Sequence, residues 1–330
     1  MDTPPFEIKC ADDIMDISLS KCSNLIAVAI VDGSVEIHSF DDKKDTLVRT
    51  IRVDHSEIRC VTFNPNATKL FCGCEDGRTL LLSVEGKELW RCDDKVMHSA
   101  EISRVFCVDD KSFFSGDENG VVKLWNPIPG KTTVETFEKH QDYISDFDYC
   151  PSRESVVVAS ADGSLSFISV KDREIVYQTT TCNDELLSCC VVKRGEFVCA
   201  GTQEGVVNIY RWDDEEEITD RITGHPESID GMLKVDEDTI CTGSDDGVLR
   251  VVQVMPNLFL GVVGMHEFPV EKMEWTFEKK FIATCSHDNV VRLFDMSILE
   301  DDGEESEEEE KDSSDSDESE EEDAPKESKA

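Results

Sequence analysis

The 330-residue chain is 39% hydrophobic, enough for a buried core, so the chain as a whole does not read as disordered. Its formal charge is −40; residues 300–330 hold 18 acidic and 3 basic side chains, and the residues before them still carry 55 acidic against 30 basic. Such a field repels nucleic-acid phosphate and anionic lipid and favours basic protein partners, which sets aside direct general nucleic-acid binding and membrane-surface attachment.

The opening MDTPPFEIK has no apolar core and is not a secretory signal. Phe6–Lys9 stands ahead of everything that repeats later. The longest apolar run, Leu25 to Val31, is far short of the roughly 20 residues that span a bilayer. From that run onward one unit recurs: an apolar run, a two-residue turn, and a second apolar run. The turns are Asp32-Gly33, Asp76-Gly77, Asn119-Gly120, Asp162-Gly163, Glu204-Gly205, Asp246-Gly247 and Asp288-Asn289, with their second residues 42 to 44 positions apart. Asp-Gly and Asn-Gly favour the type I′ turn, whose positive φ values match the twist of the strands it joins. The preceding runs are LIAVAIV, KLFCGC, SFFSG, VVVASA, EFVCAG, TICTGS and FIATCS; the following runs are VEI, TLLLSV, VVKLW, LSFIS, VVNIY, VLRVV and VVRLF. Both sets are apolar and β-branched without helical spacing, and both read as strands.

A second marker keeps the same phase. His55, His98, His140, His225 and His266, with Asn183 in the gap, each precede an apolar strand-opening residue: Ile58, Ile102, Ile144, Ile229, Val270 and, after Asn183, Leu187. One histidine per unit around a ring does not converge on a point, so these residues read as hydrogen-bonding partners within each unit and not as a metal or catalytic site. The 14 cysteines sit inside apolar stretches without C-x-x-C spacing, as buried thiols of a reducing compartment do. No metal or cofactor is expected from these spacings. No G-x-S-x-G elbow and no P-loop occurs, so no enzymatic activity is expected.

A period near 42 with four strands per unit is the signature of a propeller blade. The chain resembles the WD-repeat β-propeller family, on Gly224-His225, Ser160-x-Asp162, Ser244-x-Asp246, Ser286-x-Asp288, Trp125-Asn126 and Phe294-Asp295. The resemblance implies an all-β, seven-bladed propeller over residues 1–299 and a blade network of His, Ser/Thr, Asp and Trp. That network is degraded here: Leu82, Ile168, Tyr210, Val252 and Phe294 stand where Trp125 stands in its blade. The seventh blade lacks an outer strand, which Phe6–Lys9 can supply, closing the ring and hiding its edges. The expectation is a monomeric propeller within a larger complex.

Residues 300–330 have almost no apolar content and are expected to be a disordered acidic tail. Ser306, Ser314 and Ser319 each have an acidic residue three positions on, the pattern of an acidophilic kinase site. Within the family, the stretches 224–257 and 139–171 carry a narrower likeness. It implies a nucleolar or nuclear scaffold for ribosomal RNA production and large-subunit assembly, with ribosomal proteins or assembly factors as basic partners and the cytoplasm a further location. The alternative is a substrate receptor of a cullin-four ubiquitin ligase, against which Trp125-Asn126-Pro127-Ile128 lacks the usual arginine. In such propellers the narrow binding face is formed by the residue before the turn Asp and by those around the strand-opening residue. The first rule gives Glu75, Glu118, Asp245 and His287; the second gives Arg59, Tyr143, Asp230 and Glu271. Arg59 and Tyr143 rank first, since Arg and aromatic residues dominate interface energetics.

Overall fold

A computed structural model describes residues 5–41, 44–53, 57–128, 130–212 and 218–297. His55, the acidic tail and its Ser306, Ser314 and Ser319 lie outside the described residues, as does the boundary expected at residue 299. The regular elements of the described residues are all strands apart from one 3-10 turn at Lys193–Gly195. After β1 (Phe6–Lys9), blade 1 comprises β2 (Ile14–Leu19), β3 (Leu25–Ile30), β4 (Val35–Phe40) and β5 (Asp45–Ile51). Blade 2 comprises β6 (Ile58–Phe63), β7 (Lys69–Cys74), β8 (Thr79–Ser83) and β9 (Glu88–Arg91). Blade 3 comprises β10 (Ile102–Cys107), β11 (Phe113–Asp117), β12 (Val121–Asn126) and β13 (Thr133–Glu138). Blade 4 comprises β14 (Ile144–Cys150), β15 (Ser155–Ser160), β16 (Leu165–Ser169) and β17 (Glu174–Gln178). Blade 5 comprises β18 (Leu186–Val192), β19 (Phe197–Thr202), β20 (Val206–Arg211) and β21 (Ile218–Thr223). Blade 6 comprises β22 (Ile229–Lys234), β23 (Thr239–Ser244), β24 (Val248–Gln253) and β25 (Leu258–Met265), and blade 7 β26 (Val270–Trp275), β27 (Phe281–Ser286) and β28 (Val290–Asp295).

Each blade is a four-stranded antiparallel meander, and β1 completes blade 7 in the order β1-β28-β27-β26. Phe6 faces Leu293 and Lys9 faces Val290, so the N-terminal strand supplies the missing edge as the repeat count requires. The first strands of successive blades pack side by side around the axis, and β26 packs on β2 to close the ring of seven. The core lies between blades. At the seam, Ile8, Ile17, Ile26 and Val28 bury against Ala283, Val291 and Leu293. The backbone bond His98 N–H to Gly77 carbonyl, which ties blade 3 to blade 2, is repeated at the seam by Cys10 N–H to Asn289 carbonyl at 2.9 Å.

The turn glycines have a second role beyond their positive φ. At Gly77 a Cβ would stand 2.5 Å from the His98 carbonyl oxygen, and at Gly247 2.4 Å from that of His266. The glycine therefore lets one blade's turn press against the next blade's entry loop.

All seven innermost strands carry a register shift at their second residue: Met15, Arg59, Ser103, Ser145, Leu187, Asp230 and Glu271. A bulge re-aims one side chain without breaking the ladder. Here it does so seven times at the same end of the axis. In blade 5 the strand opens at Leu186, so Leu187 is the bulged residue and not the opener. The loop position four residues before the opener then falls to Cys182, not to Asn183.

Candidate functional site

The bulged residues form one mouth of the central channel, around a cavity of about 210 Å³ lined by Arg59, Glu118, Tyr143, Asp230 and Glu271 among others. The other three residues selected from the sequence adjoin it. Glu75 stands 3.9 Å from Arg59, His287 Nε2 is 2.6 Å from Glu271, and Asp245 acts electrostatically on Asp230. All eight therefore share one face. Tyr143 is half-buried, whereas Glu75, Glu118, Asp245 and His287 are exposed.

The mouth is acidic enough for its carboxylates to disturb one another. Burial, with Glu271 and Asp245 beside it, pushes Asp230 up to about 6 against the opposing pull of Ser228 and Arg104. Burial and Glu101 raise Glu118, while Arg59 and Arg104 oppose them. Glu75 raises Glu57 through a shared hydrogen bond. Arg59 spans Glu75 and Glu101 at 3.9 and 3.7 Å. Burial, Glu185 and Asp142 raise the Tyr143 phenol to about 12, so it stays a hydrogen-bond donor. Chemically, the mouth is a ring of carboxylates with two arginines, Arg59 and Arg104, and one aromatic ring, suited to a Lys- or Arg-bearing segment.

Below the mouth, a wider cavity of about 510 Å³ occupies the channel toward the opposite end. One cluster of its charges is paired. Lys272 Nζ lies 2.7 Å from Asp16 and 3.5 Å from Glu274, and those carboxylates raise Lys272 although burial works against the cation. Several channel acids also stitch the ring: Asp16 accepts the Val61 N–H at 2.8 Å, Asp146 that of Cys189 at 2.9 Å, and Glu274 that of Leu19 at 2.7 Å. This places Asp16, Asp146 and Glu274 in structural bonds.

The blade networks show the same economy. In blade 3, His98 Nδ1 donates to Asp117 at 2.8 Å and Nε2 meets Ser115 at 2.6 Å, while the Trp125 indole donates to Ser115 at 2.7 Å. The acid is Asp117 on β11, not the turn residue Asn119. In blade 7, His266 Nε2 donates to Thr284 at 2.7 Å and Nδ1 accepts from Arg292 at 2.7 Å, so an Arg–Asp288 pair takes over from the indole. Blade 6 keeps His225–Thr242 at 2.8 Å and Arg250–Asp246 at 2.5 Å. Blade 1 departs furthest. Cys10 holds the loop position of the histidines and His38 the position of Trp125. Glu36 lies between them, His38 Nε2 is 3.2 Å from Glu36, and His38 Nδ1 is 3.3 Å from Asp45. Sequence reading did not reveal this trio, because its members match none of the residue types that mark the other blades. The outer strand β25 was also not foreseen as a surface feature: Leu258, Phe259, Leu260 and Val262 are all exposed.

A seven-bladed ring with a stitched channel and a carboxylate-rimmed mouth is a WD-repeat propeller, a scaffold class that works through protein contacts. A solved WD40 β-propeller domain of Doa1 superposes with a TM-score of 0.74 at 17% identity, covering 89% of this chain and 96% of that one. The chain belongs to the WDR55 family, whose model matches residues 5–299. WD repeat-containing protein 55 of Arabidopsis thaliana is 30% identical over 89% of this chain and 84% of its own length. The WD repeat-containing protein JIP5 of Cryptococcus neoformans is 32% identical over 88% and 81%, and the Homo sapiens WD repeat-containing protein 55 is 30% identical over 84% and 72%.

Proposed function

We propose that this chain is a non-enzymatic scaffold of nucleolar ribosome assembly that gathers basic proteins at the acidic mouth of its channel. The observation that carries the reading is the convergence of Glu75, Glu118, Asp230, Asp245 and Glu271 around Tyr143 and Arg59. Carboxylates held close enough to raise one another's proton affinity are relieved when a lysine or arginine of a partner enters. Tyr143 offers an aromatic face beside them. The nucleolar setting rests on the chain's acidity and on its family likeness, and the tail serines 306, 314 and 319 would add to the charge when phosphorylated.

The test is affinity purification of the full chain with mass spectrometry, alongside sedimentation of pre-ribosomal particles. Co-sedimentation and enrichment of ribosomal proteins and assembly factors are expected. The exposed pair Glu118→Lys and Asp245→Lys should shed the basic partners, and Arg59→Ala with Tyr143→Ala should weaken them. Retention of every partner by both variants removes this face from the reading. Recovery of a cullin-ligase adaptor without pre-ribosomal particles would instead identify a substrate receptor.

A further inference from the structure

At the closure seam, Cys10, Glu36 and His38 place a thiol sulfur, a carboxylate oxygen and an imidazole nitrogen within 4.8 Å of one another, and all three residues are buried. We propose that this trio is a Zn²⁺ site that fastens the N-terminal closing segment to blade 1. Three arguments meet there. The first is chemical: thiolate, imidazole and carboxylate together suit zinc, whose bonds of about 2.0–2.3 Å are within side-chain adjustment of this spacing, whereas Mg²⁺ and Ca²⁺ reject sulfur.

The second is hydrogen-bond counting. His38 lies between two carboxylates, with Nε2 at 3.2 Å from Glu36 and Nδ1 at 3.3 Å from Asp45. An imidazolium would donate to both, whereas a neutral imidazole has one N–H and one lone pair and donates to only one of them. In the neutral ring with Nδ1–H on Asp45, the Nε2 lone pair faces the Glu36 oxygens, the arrangement in which a cation between them is ligated by both. A carboxylate on the far nitrogen of a ligating histidine is the arrangement that orients such ligands in metal sites.

The third is charge. A thiolate and a carboxylate balance a divalent ion, so the loaded set is neutral in a place that excludes water. The ion takes up the Cys10 sulfur as its proton leaves to solvent, with no change in oxidation state. Interval spacing along the chain did not reveal the site because Cys10 and His38 stand where His98 and Trp125 stand in blade 3 but differ from them in residue type. Zinc here would tie the residue after β1 to the blade that β1 does not belong to.

The experiment uses the full chain, stripped with chelator and titrated with Zn²⁺ or Co²⁺. The expected results are one equivalent of tightly held zinc, a rise in melting temperature on the order of 5 °C at saturating metal, and a thiolate-to-cobalt charge-transfer band in the near ultraviolet. Cys10→Ala should abolish the band and Cys22→Ala, which alters an exposed thiol, should leave it intact. Asp45→Asn, at a partly exposed position, should keep the fold and weaken zinc binding about 10- to 100-fold. No retained zinc, or equal retention and an unchanged band in Cys10→Ala, overturns the proposal and leaves a hydrogen-bonded cluster only.

Discussion

The indole N–H of Trp125 donates to the Ser115 hydroxyl at 2.7 Å, and through it reaches His98 and Asp117. Since His98 Nδ1 donates to Asp117, its Nε2 is the acceptor and the Ser115 O–H points at it. Every polar atom in this relay is buried, so removing one donor leaves its acceptor without water to replace it. Trp125→Phe keeps an aromatic ring stacked near Phe113 but deletes the N–H; a loss of about 1–3 kcal/mol is expected in urea unfolding. Trp125→Ala should cost about 3–5 kcal/mol. Equal losses for the two would show that the relay adds nothing to packing.

Closure by β1 makes a prediction about the two chain ends. Ile8 is fully buried in the seam core and Glu7 pairs with Arg292 at 3.4 Å. Deleting residues 1–10 uncovers β28 and opens the seam, whereas deleting 300–330 removes a segment with almost no apolar content. The first deletion should lower the melting temperature far more than the second. Ile8→Ala alone should cost about 2–5 kcal/mol. Equal melting temperatures for the two deletions would contradict the seam.

What was legible in the sequence was whatever local chemistry dictates. Six turn glycines take φ values of 75–82°, so the Gly pairs announced where the chain turns; the residue before each glycine does not share its positive φ, so the turns are not the type I′ expected from Asp-Gly and Asn-Gly. The eight face residues were legible because they hold fixed offsets from those turns and openers. Features carried by unexpected residue types were not. Cys10 and His38 stand where blade 3 has His98 and Trp125, and the Cys182 position was misread as Asn183 because the bulged Leu187 is apolar and passes for the true opener, Leu186. β25, LFLGVVGM, lies outside the turn-flanking runs that the sequence reading used, and as the last strand of its blade it presents Leu260 and Val262 to solvent. An apolar run alone does not report which strand of the blade it becomes.

Stability should fall on mild acidification because of two blade histidines. Burial, with Arg250 beside His225 and Arg292 beside His266, lowers each to about 4. Unfolded, each binds its proton near pH 6.5, so the unfolded state takes up more protons between pH 6.5 and 4. The stability each contributes is complete above pH 6.5 and is lost as pH falls through that window, roughly 3 kcal/mol per histidine. Asp148, raised to about 6 chiefly by burial, acts in the opposite sense. Its folded form takes up a proton first, so it gains stability as pH falls from 6 toward 3.8. Chemical denaturation from pH 7.5 to 4.5 checks the balance: His225→Gln should flatten the slope, and Asp148→Asn should stabilise at pH 7.5 but not at pH 3.5. An unchanged slope in His225→Gln would mean that this imidazole titrates normally.

The channel pair Lys272–Asp16 is the point where charge and ring geometry are joined. Asp16 gives one oxygen to Lys272 at 2.7 Å and the other to the Val61 N–H at 2.8 Å, so a single carboxylate ties blade 7 to blade 1 and blade 1 to blade 2. Glu274, 3.5 Å from the same ammonium, ties blade 7 to the Leu19 N–H. Lys272→Met keeps the stem's packing but leaves two largely enclosed carboxylates without their cation, and should cost about 3–5 kcal/mol. Asp16→Asn in the Lys272→Met background removes one of the stranded charges while its side-chain oxygen can still accept from Val61, so part of that loss should return. A double-mutant cycle at neutral pH separates the two contributions. Additive losses would mean that the ammonium is solvated by channel water and that backbone bonds alone hold the blades together at this level.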